Sequence, residues 1–328
     1  GMRMQASLAH SIEENPQKRQ LDEQCKIVLS HKPLLARILK RTVEEVADME
    51  IDEIIASIEG SPSIGSIPIL EGEERIEGSN TESTSKNEGT VYYDIRFYIL
   101  VNEGKTKILF DVEAQKNYYP GYKIVTRGIA YCARMISSQI NQEFDLKHYD
   151  DLKKVYSIWI CFNPPDYIGN AISRYHIQKE DLLTGIPDEK VAYDKLEVVM
   201  ICLRDDMDQK DDELIGLLNT IFSSEKTKEE IKEELSDQYG IPMEDGFGKE
   251  VDLMCNLSEM YEERGMKRGM ERGMERGMER GMERGKLIGK ILAYRDCNLS
   301  DAEIACKVHL PVSEVKKIIE EKSLQLQC

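Results

Sequence analysis

With 328 residues, 41% of them hydrophobic, the chain is long enough for a main globular domain with accessory pieces. No apolar run approaches the length of a membrane span and no signal-peptide pattern opens the chain, so a cytoplasmic protein with no membrane partner is expected. The net charge of −17 argues against generic nucleic-acid binding, although residues 264–328 hold 14 of the 44 basic side chains and only 10 of the 61 acidic ones.

Residues 1–20 form an N-terminal segment. From Leu21 to Val46, apolar residues at mixed spacings of three and four predict a helix, and Asp52 to Ile58 a short second one. Glu59 to Glu88, rich in Gly, Ser, Pro and acids, reads as a long loop. Val91 to Gln115 then reads as a β-hairpin around the turn Asn102-Glu103-Gly104-Lys105. Side chains two apart share a face of a strand, so Glu113 and Gln115 project together, opposite an apolar set of Ile108, Phe110, Val112 and Ala114. A partner strand can bring Asp94 beside them. Carboxylates held that close repel each other unless a cation lies between them, which points to a divalent metal and to phosphate chemistry. The same pattern also suits a plain solvated face, and Asp111 shares the parity of Glu113, so alternation does not choose between them.

Tyr118-Tyr119-Pro120-Gly121-Tyr122 predicts a tight turn into a helix over Lys123 to Gln142, with Arg127, Tyr131, Arg134 and Ser138 on one face. Arginine suits phosphate recognition, so this face could clamp a phosphate beside the acids or be an exposed arginine face. Lys154 to Phe162 has the apolar run of a buried central strand, Val191 to Leu203 contains another strand, and Asp208–Phe222 and Lys226–Tyr239 read as helices. Eight cysteines without a C-x-x-C pair read as reduced thiols with no structural zinc. The five histidines show no ligand spacing.

After a connecting helix over 241–263, residues 264–285 repeat GMER or GMKR every four residues. Glycine at every fourth position disfavours helix, while Met, Glu and Arg favour it. A period of four drifts about 40° per repeat, so no heptad stripe forms. The segment reads as a marginal helical linker, with a methionine-lined association surface as the alternative. Residues 286–328 have helix-turn-helix character: Ser300 and Glu303 form a capping box, His309-Leu310-Pro311 a turn, and Ser313 caps a helix carrying Lys316 and Lys317. Such a unit could read a major groove or contact a protein partner.

Asp94, eighteen intervening residues and Glu113-Ala114-Gln115, followed by the YPGYK turn, a helix and the buried strand ending at Asn163-Pro164-Pro165, resemble one known family. The ordered block from Leu21 to Leu203 resembles the PD-(D/E)XK nuclease family transposases, or recombination-promoting nucleases, and the GMER repeat is typical of members. The resemblance implies an α/β fold with a restriction-endonuclease-like core over 21–240, a mixed central sheet flanked by helices, and an α-helical C-terminal extension. It implies a DNA endonuclease linked to recombination or mobile elements, with Asp94 and Glu113 holding Mg²⁺ or Mn²⁺. Gln115 then stands where the family usually has lysine, and as a neutral amide it can orient a water but cannot supply positive charge. Glu82 is a candidate third acid, with Asp22 and Glu23 as alternatives. Lys123, Arg127 and Tyr131 are expected to contact phosphate, and Lys123 could act as a displaced lysine. The expected partners are DNA and a second copy of the chain. Two other readings stay open: a nuclease fold of weak or no activity serving DNA binding or assembly, and a regulator acting through the C-terminal unit.

Overall fold

The computed structural model describes residues 16–65, 82–85, 89–209, 211–223, 225–244 and 246–325; for 82–85 and 89–92 it describes the backbone. The predicted first helix is two: α1, Pro16–Leu29, and α2, Lys32–Thr42. Pro33 stands in the first turn of α2, where its missing N–H costs nothing but where continuation from α1 is blocked. α3 spans Ile51–Ser57. The predicted loop contains two short strands, β1 (Ser63–Ile64) and β2 (Glu82–Ser85), and β3 (Gly89–Tyr92) follows it, while 66–81 and 86–88 lie outside the described residues.

The hairpin forms from β4, Ile95–Val101, and β5, Thr106–Gln115, paired antiparallel with Arg96 opposite Asp111. Asn102, Glu103 and Gly104 all take positive φ in the turn. α4 covers Ile124–Ser137, β6 Val155–Cys161, β7 Ala171–His176, α5 Lys190–Tyr193 and β8 Leu196–Cys202. A six-stranded sheet runs β1-β4-β5-β6-β8-β7; β5, β6 and β8 are parallel and the other pairings antiparallel. Every residue of β6 is buried, as its continuous apolar run requires of a strand covered on both faces. The chain is thus mixed α/β, with a six-stranded mixed sheet flanked by helices. α6 (Glu213–Ile221), α7 (Lys228–Asp237) and the long α8 (Phe247–Asp296) follow.

Alternate residues of the strands face two different cores. Ile95, Phe97, Ile99, Phe110, Val112, Tyr156, Ile158, Val199 and Ile201 pack with α1, α2, α3, α6 and α7. On the opposite face Leu109, Val155, Trp159, Val198 and Met200 form a smaller core with Ile124, Tyr131, Cys132 and Met135 of α4. Tyr93 belongs to this second core, not to the apolar set with which alternation groups it, because the bend at Asp94 resets the parity before β4.

Gly128 lets α4 come down on the sheet. A Cβ there would stand 2.8 Å from Val198 Cγ1 and 3.0 Å from Trp159 Nε1. Gly128→Val is expected to lower stability by about 2 kcal/mol, the usual cost of overpacking a filled core, measured by urea unfolding. An unchanged denaturation midpoint would show that α4 can lift without loss.

The chain divides into two compact units, Gly1–Ser258 and Glu259–Cys328, with the boundary inside α8. α8 is helical through the whole GMER repeat, beyond the marginal helix expected. Helix flanks both ends of the repeat, so the nucleation cost is met once and each repeat adds only propagation. Met266, Met270, Met274, Met278 and Met282 are exposed along it. In the second unit, α9 (Asp301–Val308) and α10 (Val312–Gln325) pack Ile304, Ala305, Val315, Ile318 and Ile319 on Ile291 of α8. The Ser300–Glu303 capping box is present, and His309 ends α9 in a left-handed conformation. Lys316 and Lys317 are exposed.

Candidate active site

Asp94 sits in the bend just before β4, and Glu113 lies near the end of β5. They clasp each other through the backbone. The Asp94 N–H donates to Glu113 Oε1 at 3.2 Å, and the Ala114 N–H donates to Asp94 Oδ2 at 2.9 Å. Asp111, two residues before Glu113, projects from the same face into the core under α4. Ser157, opposite it on β6, donates to Asp111 Oδ2 at 2.7 Å and receives the Trp159 indole N–H at 2.8 Å. Asp111 Oδ1 has no donor directed at it, and the Glu113 carboxyl lies alongside.

These acids are not on a solvated face: Asp111 is 0% and Glu113 4% exposed. Burial disfavours their charged forms and pushes Asp111 up to about 6. Burial also pushes Glu113 well above the usual carboxylate range, with the charges of Asp111 and Asp94 adding to the effect. Cations reach the cluster from β4 and α1. Arg96, buried and in register with Asp111, holds its guanidinium 4.6 Å above the Tyr93 ring. Lys26, from α1, places its Nζ 3.0 Å from Asp94 Oδ1.

A second buried acid offers a contrast. Glu197 is fully buried but lies 2.5 Å from Arg174 Nε and 3.3 Å from Lys154 Nζ, and Lys154 also binds Glu45 and Asp194. That acid is neutralised by direct ion pairs. Asp111 and Glu113 instead face each other, with a proton or a metal cation as the means of relieving their repulsion.

The predicted residues divide into those beside the acids and those away from them. Arg127 donates to the Tyr131 hydroxyl through Nε and Nη2, at 3.0 and 2.6 Å, and to the Tyr122 hydroxyl through Nη1 at 2.8 Å. Its guanidinium also lies 5.4 Å from the Trp159 ring. Arg127 and Tyr131 both interact electrostatically with Glu113. Lys123 lies elsewhere, at the start of α4 with its Nζ 5.6 Å from the Tyr119 ring. Gln115 turns its amide nitrogen to the Asn117 carbonyl at 2.7 Å. Glu82 is on β2, paired with Tyr92, and its side chain lies outside the described residues. Asp22 forms an ion pair with Lys116. Arg134 is buried, so the α4 face that carries it turns inward.

The sequence reading missed Lys26 and Arg96 and left Asp111 undecided. Parity could have found Arg96, which shares the strand face of Asp111. Nothing local links Lys26 to Asp94.

Among the described residues, no set of three or more His, Cys, Asp or Glu side chains is arranged to hold a metal ion. The Asp94–Glu113 pair still fits Mg²⁺, which takes oxygen donors and completes its shell with water and substrate phosphate around one or two carboxylates. Among the described residues, no helix is long and apolar enough to cross a membrane. No family model, curated protein or solved structure matches the chain.

Proposed function

We propose that this protein is a metal-dependent endodeoxyribonuclease of the PD-(D/E)XK kind, with its mixed sheet serving as a restriction-endonuclease-like core. It hydrolyses phosphodiester bonds of DNA in recombination or mobile-element activity, in the cytoplasm, with a second copy needed to cut both strands. The observation that carries the reading is the clasp of Asp94 and Glu113, with buried Asp111 beside them, on the α4 side of the sheet. Buried carboxyls held against each other are costly to keep, and sites with strongly shifted pKa values are candidates for chemistry.

Asp94 and Glu113 would hold Mg²⁺ or Mn²⁺. When bound, that ion would lower the pKa of a water and neutralise charge growing on the phosphate. Lys26, already at Asp94, supplies the positive charge that a neutral Gln115 cannot, and replaces Lys123 in that role. Arg127, held by Tyr122 and Tyr131, presents a planar donor fork to a phosphate oxygen next to the acids. Trp159 and Ser157 fix Asp111 from below and exclude water from that side.

The test is nicking of supercoiled plasmid. Nicking that requires added Mg²⁺ or Mn²⁺ supports the reading, and intact plasmid with both metals refutes it. A second reading, an inactive nuclease fold kept for DNA binding or assembly, is favoured by the Gln115 amide being committed to Asn117. It predicts DNA binding with no metal-dependent nicking. Under the nuclease reading, Arg127→Ala is expected to weaken DNA binding by about tenfold without weakening metal binding, since it removes a positive charge near Glu113, read by anisotropy and calorimetry.

A further inference from the structure

On the same face of the sheet as the acids, two strands away, lies a pocket of about 230 Å³ lined by Tyr118, Tyr119, Lys123, Tyr175, Met200 and Cys202, among others. It opens where β5, β6 and β8 end, the side on which parallel α/β sheets bind ligands. Cross-strand register places it relative to the chemistry. Glu113 pairs with Trp159 and Trp159 with Met200, so the pocket floor is two strands from Glu113, or about 10 Å. Cys202 stands in the same relation to Gln115.

We propose that this pocket receives one unpaired nucleobase of the strand whose phosphate lies at the acids. The inference rests on the nuclease reading above and adds a substrate class to it: DNA that is single-stranded, or from which one base can be swung out, next to the cleaved bond.

Four features carry it. The pocket is walled by aromatic rings that packing leaves open: Tyr119 is 56% and Tyr175 43% exposed. Such rings stack on any base, because every base has a π-face. Its floor is sulfur from Met200 and Cys202, soft and apolar against a flat ring. Its edges are polar, from the Ser173 hydroxyl and the phenols of Tyr118 and Tyr175, which can meet a base's hydrogen-bonding edge. Finally, Lys123 stands against Tyr119 and Arg127 follows one helical turn later, so a line of cations runs from the pocket toward Glu113, as a phosphate backbone joining the two would need. The volume is below that of a drug-sized pocket and suits a single ring system. On this view Lys123 belongs to the base-binding end of the site and not to the catalytic end.

The test uses the full chain at low salt in EDTA, which blocks cleavage. Anisotropy compares a short labelled oligothymidylate with an abasic deoxyribose-phosphate strand of equal length. The wild type is expected to prefer the strand with bases by about tenfold or more, the range of one base stacked on an aromatic ring. The double variant Tyr119→Ala, Tyr175→Ala should lose that preference and keep its affinity for the abasic strand. Tyr119→Phe, Tyr175→Phe should retain the preference, since the rings remain. Equal wild-type binding to both strands, no binding to either, or a preference that survives the alanine variant overturns the pocket proposal. Plasmid nicking run in parallel separates the two readings: metal-dependent nicking without base preference leaves the nuclease standing and removes only the pocket. Loss of both removes the nuclease reading as well.

Discussion

Glu113→Gln is expected to reduce metal-dependent plasmid nicking by more than 100-fold, beyond the usual cost of losing a group that merely supports a metal ligand. Glutamine is nearly isosteric and can still accept the Asp94 N–H, so the clasp between β4 and β5 should persist. What it removes is the negative charge that would hold the cation. The protein should therefore stay folded, with a melting temperature equal to or above that of the wild type, because a repelling carboxylate has left a buried site. Loss of nicking with unchanged circular dichroism meets this expectation. Wild-type nicking by the variant would mean that Glu113 holds no catalytic metal.

The metal-free protein is expected to be more stable near pH 5 than near pH 8, the reverse of what paired carboxylates produce. Asp111 is pushed up to about 6 and Glu113 is raised well above its ordinary value, both chiefly by burial. Unfolded, each group returns to an ordinary carboxylate pKa of about 4. Between the two values the folded state binds more protons than the unfolded chain, so stability falls as pH rises. The contribution is fully present below about pH 4 and is lost as pH climbs through about 6 and beyond. Over the whole span from below pH 4 to pH 8 the rise on Asp111 is worth on the order of 3 kcal/mol, roughly half of it between pH 5 and pH 8, with Glu113 adding to the loss. Saturating Mg²⁺ at pH 8 should recover much of the loss, since an ion that binds only the folded state stabilises it by mass action. Glu113→Gln should flatten the pH profile. A melting temperature that rises steadily from pH 5 to pH 8 without metal would show that Lys26 and Arg96 already neutralise the acids.

The hairpin carrying Glu113 and Gln115 was legible in the sequence because strand alternation is a property of neighbours two apart. The turn at Asn102–Gly104 was legible for a similar reason, and so were the buried strand β6 and the Ser300 capping box. Each depends on a few adjacent residues. The break between α1 and α2 was also written locally, in Pro33, but an apolar pattern running through both helices concealed it. β7 carried no signal: Ser173, Arg174, Tyr175 and His176 form an exposed edge strand, and their pairing is set by β8.

Sequence alone thus determined which residues share a face within an unbroken strand or helix, since backbone geometry makes that a matter of counting there. Only the tertiary structure decided which face is covered and what meets across it. Asp111 and Glu113 are buried on the sheet face that α4 covers, and that burial is the chief cause of their raised pKa values. Lys26 meets Asp94 because α1 packs where the sheet places it, a contact between distant parts of the chain that no periodicity encodes. The candidate site takes its charge balance from such contacts. That is why the sequence could nominate its acids but not the cation that faces them.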